Sequence, residues 1–167
     1  MQSFPFSGSV LAVHPTSSGF GWVVFDATGA LTEWGVASAK EGRKLRLVNR
    51  FKSLLARFGP AVLVFEAHEG EHERADRIRK LYRAFDNIAH RADTRVYVYD
   101  REAVATALDI PARSSRYDVA RKVIELRPGL SHRMPRKQAF GASEDPRQSL
   151  FDAAALALTY FAVMGIT

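Results

Sequence analysis

The sequence contains no cysteine, which excludes disulfides, thiolate metal sites and a cysteine nucleophile and leaves any metal to oxygen or imidazole ligands. No apolar run approaches the roughly 20 residues that span a bilayer. The opening, MQSFPFSGSVLAVHP, has no basic segment ahead of its short apolar stretch, so it does not read as a signal peptide, and a cytoplasmic protein with no membrane partner is expected. Glycine is too sparse around Gly19 and Gly21 to cradle a phosphate chain. There is no internal repeat and no low-complexity tract. What is present is 167 residues, 47% hydrophobic and 25% charged, the proportions of a globular protein. The length suits one domain, residues 1–167, rather than two. Lysine and arginine outnumber aspartate and glutamate by 24 to 18, for a net charge of +6. That excess favours a polyanionic partner and says nothing about fold.

Apolar runs at Ser9–Val13, Gly19–Phe25 and Ala30–Ala37 predict a buried strand followed by a hairpin. Asp26-Ala-Thr-Gly29 between the second and third has turn composition, so Asp26 is read as a turn residue. From Glu41 to Phe58 the apolar residues Leu45, Val48, Phe51, Leu54, Leu55 and Phe58 recur at helical spacing until Gly59-Pro60 stops them. Ala61–Phe65 is then a continuous apolar strand of the type buried on both faces, ending at Glu66. Residues 71–91 predict a helix with Ile78, Leu81, Tyr82, Phe85 and Ile88 on one face, and Arg95–Tyr99 another strand. Helices are expected over Arg101–Leu108 and Ser115–Leu126, closed by Pro128-Gly129. Residues 130–147 lack periodicity and read as a loop, and Gln148–Val163 as an Ala/Leu-rich helix.

This order of elements resembles the ribonuclease H-like fold, and four segments sharpen the likeness. Val10–Val24, VLAVHPTSSGFGWVV, looks like the first-strand signature of RuvC-type Holliday-junction resolvases, with His14 where that family has its first aspartate. VLVFEA, Val62–Ala67, is similar to the second motif, with Glu66 in the acidic position. Tyr99–Leu126 resembles the segment of short helix, turn and further helix, and LFDAAALALTYF, from Leu150, resembles the closing motif with Asp152 as its last acid. Taken singly, a strand ending in Glu or a helix beginning with Asp is common and often no more than a solvent-facing charge. Their joint order carries the resemblance. It implies an α/β chain with a five-stranded mixed sheet, the first three strands antiparallel, flanked by helices.

The resemblance also implies a divalent-metal-dependent endonuclease acting on branched DNA, of the kind used in DNA recombination and repair. Mg²⁺ or Mn²⁺ would be held by clustered carboxylates, one ion activating water and the other stabilising the leaving oxygen. Glu66 and Asp152 are the implied ligands, with His14 as ligand or general base. Imidazole in place of a carboxylate weakens Mg²⁺ and tilts preference toward Mn²⁺. The family's further acid, one turn before the last, is Ser149 here. Asp145 and Glu144, or His68 and Glu69, are candidates to supply the missing charge. In the competing reading the site has lapsed, His14 merely packs at the strand end, and the protein is a DNA-binding or scaffold module. Actin-like and sugar-kinase ATPases share the ancestry but need a phosphate loop and a second large domain that this length does not allow.

For contact with DNA, expected to be a four-way junction, the candidates are Arg113, Arg116, Lys122 and Arg127, with Arg133, Arg136 and Lys137 in the loop. Arg116 and Arg127 stand foremost, and each taken singly is equally a residue of a solvated helix face. Phe20, Trp22, Phe65, Phe85 and Tyr160 fall on core-like positions and read as packing rather than base-stacking groups. The resemblance implies a homodimer through the helix around Arg74–Arg91, with Tyr82 and Phe85 as interface candidates, unless both simply face the sheet.

Overall fold

The computed structural model describes residues 8–39, 44–67, 73–137 and 145–166. Strands β1 (Val10–Pro15), β2 (Gly19–Phe25) and β3 (Leu31–Ser38) are followed by α1 (Lys44–Phe58), β4 (Val62–Glu66), α2 (Glu73–Arg91), β5 (Arg95–Tyr99), α3 (Arg101–Leu108), α4 (Arg116–Leu126) and α5 (Gln148–Met164). The strands form one sheet in the order β3-β2-β1-β4-β5. β2 is antiparallel to β1 and β3, whereas β4 is parallel to β1 and to β5. Among the described residues no helix is long and apolar enough to cross a membrane.

Because successive residues of a strand point to opposite faces, the central strands feed two cores. Val10, Ala12, Val23, Phe25, Val62 and Val64 pack with α3, α4 and α5 on one face. Leu11, Val13, Phe20, Trp22, Val24, Leu63 and Phe65 pack with α1 and α2 on the other. The second core is aromatic: Phe85 stacks on Phe51 with centroids 4.0 Å apart and meets Phe20 edge-on at 5.2 Å. This bears out the packing reading of the aromatic residues and overturns Phe85 as an interface candidate, since a fully buried ring has no surface to share. Tyr82 is half-buried against Phe65.

Helix α5 is buried without interruption from Gln148 to Phe161, which is why its sequence is apolar all round rather than amphipathic. Its first turn lies directly on β2. A Cβ at Gly21 would fall 2.2 Å from the Ser149 carbonyl carbon, so only glycine permits this approach. The boundaries of the expected elements shift by one or two residues, with Ser115 serving as the N-cap of α4 through a reciprocal capping box with Asp118. Residues 41–43, 71 and 72, expected in helices, lie outside the described residues. One expectation is corrected: the stretch read as an aperiodic loop from 130 begins within a 3₁₀ turn, Pro128–Arg133, anchored by the fully buried Leu130. A single apolar anchor leaves no period to read.

Candidate functional site

The pleat puts two of the singled-out residues on the face covered by α5. His14 is two residues beyond Ala12 and Glu66 two beyond Val64; Ala12 and Val64 are partners in the parallel pairing, so the same register carries His14 to Glu66. Across the hairpin His14 pairs with Gly21, the residue on which α5 begins. The helix thus starts beside His14 and delivers Asp152 one turn later. From α4, which the capping box orients, Arg116 reaches the same point.

His14 Nε2 lies 2.6 Å from Glu66 Oε2. An ionised carboxylate only accepts, so His14 carries a proton on Nε2. Its Nδ1 is buried, has no hydrogen-bond partner among the described residues, and sits 3.9 Å from Asp152 Oδ2. Arg116 donates through Nε (2.9 Å) and Nη2 to Asp152 Oδ2. Gln148 Nε2 bridges the Arg116 carbonyl at 2.9 Å and Asp152 Oδ1 at 3.2 Å. Burial pushes the His14 pKa down, but the charge of Asp152 and the hydrogen bond and charge of Glu66 outweigh it against a small opposition from Arg116, and the net direction is up. Burial raises Glu66, yet the hydrogen bond and charge of His14, helped by Arg116 and Arg101, hold it below the usual carboxylate range. The Tyr82 hydroxyl is driven up chiefly by burial, then by the charge of Glu66.

These groups line a cleft of about 380 Å³, whose polar end holds His14, Glu66, Arg101, Arg116 and Asp152 and whose apolar flank includes Ile78, Val104 and Val119. Two carboxylates here face two guanidinium groups, and protonation of His14 leaves an excess positive charge. A pair of hard divalent ions needs several oxygen ligands. Among the described residues no group of three or more histidine, aspartate or glutamate side chains is arranged to hold an ion. Glu66 is occupied by His14 and Asp152 by Arg116, and Ser149 turns its hydroxyl to the Pro146 carbonyl at 2.8 Å. The described residues do not fit a two-ion site.

The other candidates are dispersed. Asp145 does not line the cleft: its carboxylate accepts from the Arg136 and Arg147 backbone N–H groups and from the Arg147 guanidinium, whose hydrogen bond holds it far below the usual range. It ties the approach to α5. His68, Glu69 and Glu144 lie outside the described residues. Arg113 is exposed before α4, Lys122 is half-buried beside Glu125 at 3.4 Å, and Arg136 is exposed. Lys137 lies over the Tyr117 ring at 5.9 Å, next to Arg116 in sequence. Arg127 is not brought to the cleft: it donates to the Gly29 carbonyl at 3.0 Å in the β2–β3 turn, at the opposite end of the sheet from His14. Arg133 is half-buried, its Nε without a hydrogen-bond partner among the described residues. Gln148, Arg101 and Tyr82 were not singled out as site residues from sequence. Only Gln148, four residues before Asp152 on one helix face, left a readable signal.

No family model matches the chain, and no curated protein matches it in sequence. Solved structures do. RuvC of Thermus thermophilus in complex with a Holliday-junction substrate superposes with a TM-score of 0.72 at 24% identity, over 95% of this chain and 97% of that one. A second Thermus thermophilus RuvC structure gives 0.68 at 25% identity, over 95% of this chain and 97% of that one. The Fowlpox virus resolvase bound to Holliday-junction DNA gives 0.52 at 12%, over 90% and 97%. The chain is built on the fold of the RuvC resolvases.

Proposed function

We propose that this resolvase-fold chain engages branched DNA, with the four-way junction as its ligand class, and presents a backbone phosphate to the cleft formed by His14, Glu66, Arg116 and Asp152. The observation that carries the reading is the convergence of these side chains from β1, β4, α4 and α5 on one cleft, in a fold whose similar solved structures include two held with Holliday junctions. The net charge of +6 and the exposed Arg113, Arg136 and Lys137 supply the electrostatic attraction such a ligand needs.

Two readings of the chemistry follow. Binding without metal-dependent cleavage is favoured by the pairing of Glu66 with His14 and of Asp152 with Arg116. Cleavage with Mg²⁺ or Mn²⁺, with Glu66 and Asp152 as ligands and His14 as ligand or base, is favoured by the meeting of the three residues at the strand ends. A junction is two-fold symmetric, so a homodimer carrying two clefts would match it.

The test is binding and cleavage of a labelled four-way junction beside linear duplex and single strand, with Mg²⁺ or Mn²⁺, for wild type and Glu66→Gln. Preferential retention of the junction supports the reading, and equal or absent binding to all three DNAs ends it. Cleavage by wild type that Glu66→Gln abolishes would establish the endonuclease; binding without cleavage would establish the binding module.

A further inference from the structure

We infer that the outer face of α1 is a second DNA surface, holding the phosphate backbone of a duplex outside the cleft through Arg46 and Arg50, with Lys44 and Lys52 beside them. The inference goes beyond the function proposed above and rests on it only for the identity of the polyanion as DNA.

Helix α1, KLRLVNRFKSLLARF, carries five cations and no acid. It is alone in this among the described helices: α2, α3 and α4 mix both signs, and α5 has no cation. Lys44, Arg46, Arg50 and Lys52 are exposed, and none has an ion pair among the described residues. On the elements packed against α1, Glu33 is paired with Arg57 at 3.3 Å, Asp76 with Arg79 at 2.6 Å and Asp86 with His90 at 3.5 Å. Two features of this charge pattern cost helix stability. Arg46 and Arg50 stand one turn apart, a like-charge pair that destabilises a helix. The first turn sets Lys44 and Arg46 at the positive end of the helix dipole with no acid to offset them. A solvated face without a ligand gains by interleaving acids, as α2 does, and local rules broken on a well-packed element mark a function carried there.

The geometry suits a duplex. At 3.6 residues per turn, Arg46, Arg50 and Arg57 fall within about 40° of one another and span about 16 Å of helix axis. They form a straight ridge of guanidinium groups, whose planar donor arrays fit phosphate, against a polymer with a phosphate about every 3.4 Å along each strand. The apolar side of α1, with Leu47, Phe51, Leu54 and Leu55, is buried in the core. Leu45 alone of its large hydrophobic residues is exposed, so the helix has no apolar face to sink into a lipid surface. No described residue of α1 lines the cleft. β3 ends at the cleft end of the sheet and β4 begins at the other, so α1 runs the length of the sheet between them, and a duplex along its ridge lies outside the cleft.

The first measurement is binding of an unbranched labelled duplex by fluorescence anisotropy across a salt series, for wild type, for Arg46→Gln with Arg50→Gln, and for Lys80→Gln with Arg91→Gln. The last variant removes the same charge from exposed positions of α2. The α1 variant is expected to shrink the slope of log affinity against log salt by about 1.8, about 0.9 for each phosphate released, and the α2 variant to leave it unchanged. Equal slopes in all three proteins, or equal shrinkage in both variants, overturns the inference. Because the α1 substitutions relieve a like-charge pair, melting temperature should hold or rise; a fall assigns the arginines to the fold and also overturns it. In the second measurement, wild type saturated with an immobilised four-way junction is offered the labelled duplex. Capture of the duplex that Arg46→Gln with Arg50→Gln loses supports two separate surfaces, and one-for-one displacement of the junction overturns them. Retention on phosphatidylserine vesicles that the same variant loses, with no change in its duplex slope, assigns the ridge to a membrane and overturns the DNA surface. Failure to prefer the junction over the duplex sinks the proposed function and leaves the first measurement to decide the ridge.

Discussion

Asp152 is a buried carboxylate whose partners are Arg116 and Gln148, so its charge is tolerable only while they stay. Truncating one member of such a pair strands the other. Arg116→Gln is expected to cost about 1–3 kcal/mol, reduced from the fully buried case because the guanidinium is partly exposed. Adding Asp152→Asn should restore most of the loss in urea denaturation; if the double variant is as unstable as the sum of the singles, the two side chains do not interact. His14 and Glu66 make a pH signature. A histidine whose pKa rises on folding stabilises fully below its unfolded value of 6.5, and that contribution is lost as pH rises through the folded value. A glutamate whose pKa falls stabilises above 4.5 and loses its contribution as pH falls through the folded value. With Asp152, Arg116, Arg101 and Tyr82 also facing the pair, melting temperature should peak between those limits, and His14→Gln should flatten its decline on the alkaline side.

Elements set these residues in place, and their tolerances differ. Gly21→Ala drives a methyl into the backbone of α5, where overpacking costs about 1–3 kcal/mol, and it should perturb the cleft because Asp152 rides on the same helix. Phe85→Ala empties the aromatic core on the other face, with an expected cost of about 3–5 kcal/mol, while His14 and Asp152 keep their surroundings. Chemical unfolding measures both costs, and the chemical shift of the His14 ring should move in the first variant and stay fixed in the second. Most elements were legible because each has a strong period: α1 and α2 alternate apolar and charged residues at helical spacing, and β4 is a bare apolar run bounded by Gly59-Pro60 and Glu66. The 3₁₀ turn at Pro128–Arg133 was not, since it has one inward residue, Leu130. Nor could periodicity tell that Phe85 faces the sheet while Tyr82 reaches the cleft wall.

Across the whole molecule the site was half legible. His14, Glu66 and Asp152 stood out by their order along the chain, but the seizure of Asp152 by Arg116 depends on how α4 packs against α5, which no local pattern encodes. The same holds for Arg127, whose sequence setting resembled that of Arg116 and whose position at the far end of the sheet gives it a turn to brace. The excess positive charge is also a property of the whole. Junction affinity should fall linearly with salt on logarithmic axes, and replacing Arg113, Lys122, Arg136 or Lys137 by glutamine should shrink the slope by about 0.9 for each duplex phosphate that the side chain neutralises. An unchanged slope removes that residue from the interface. The cleft joins groups 52 and 36 residues apart in sequence, and the strands and helix that carry them are also the core. An occupant of the cleft binds only the assembled protein, so by mass action it suppresses opening of the molecule as a unit. Amide hydrogen exchange should therefore slow throughout β1, β4 and α5 on binding, as the retreat of one cooperative event and not as a footprint around His14.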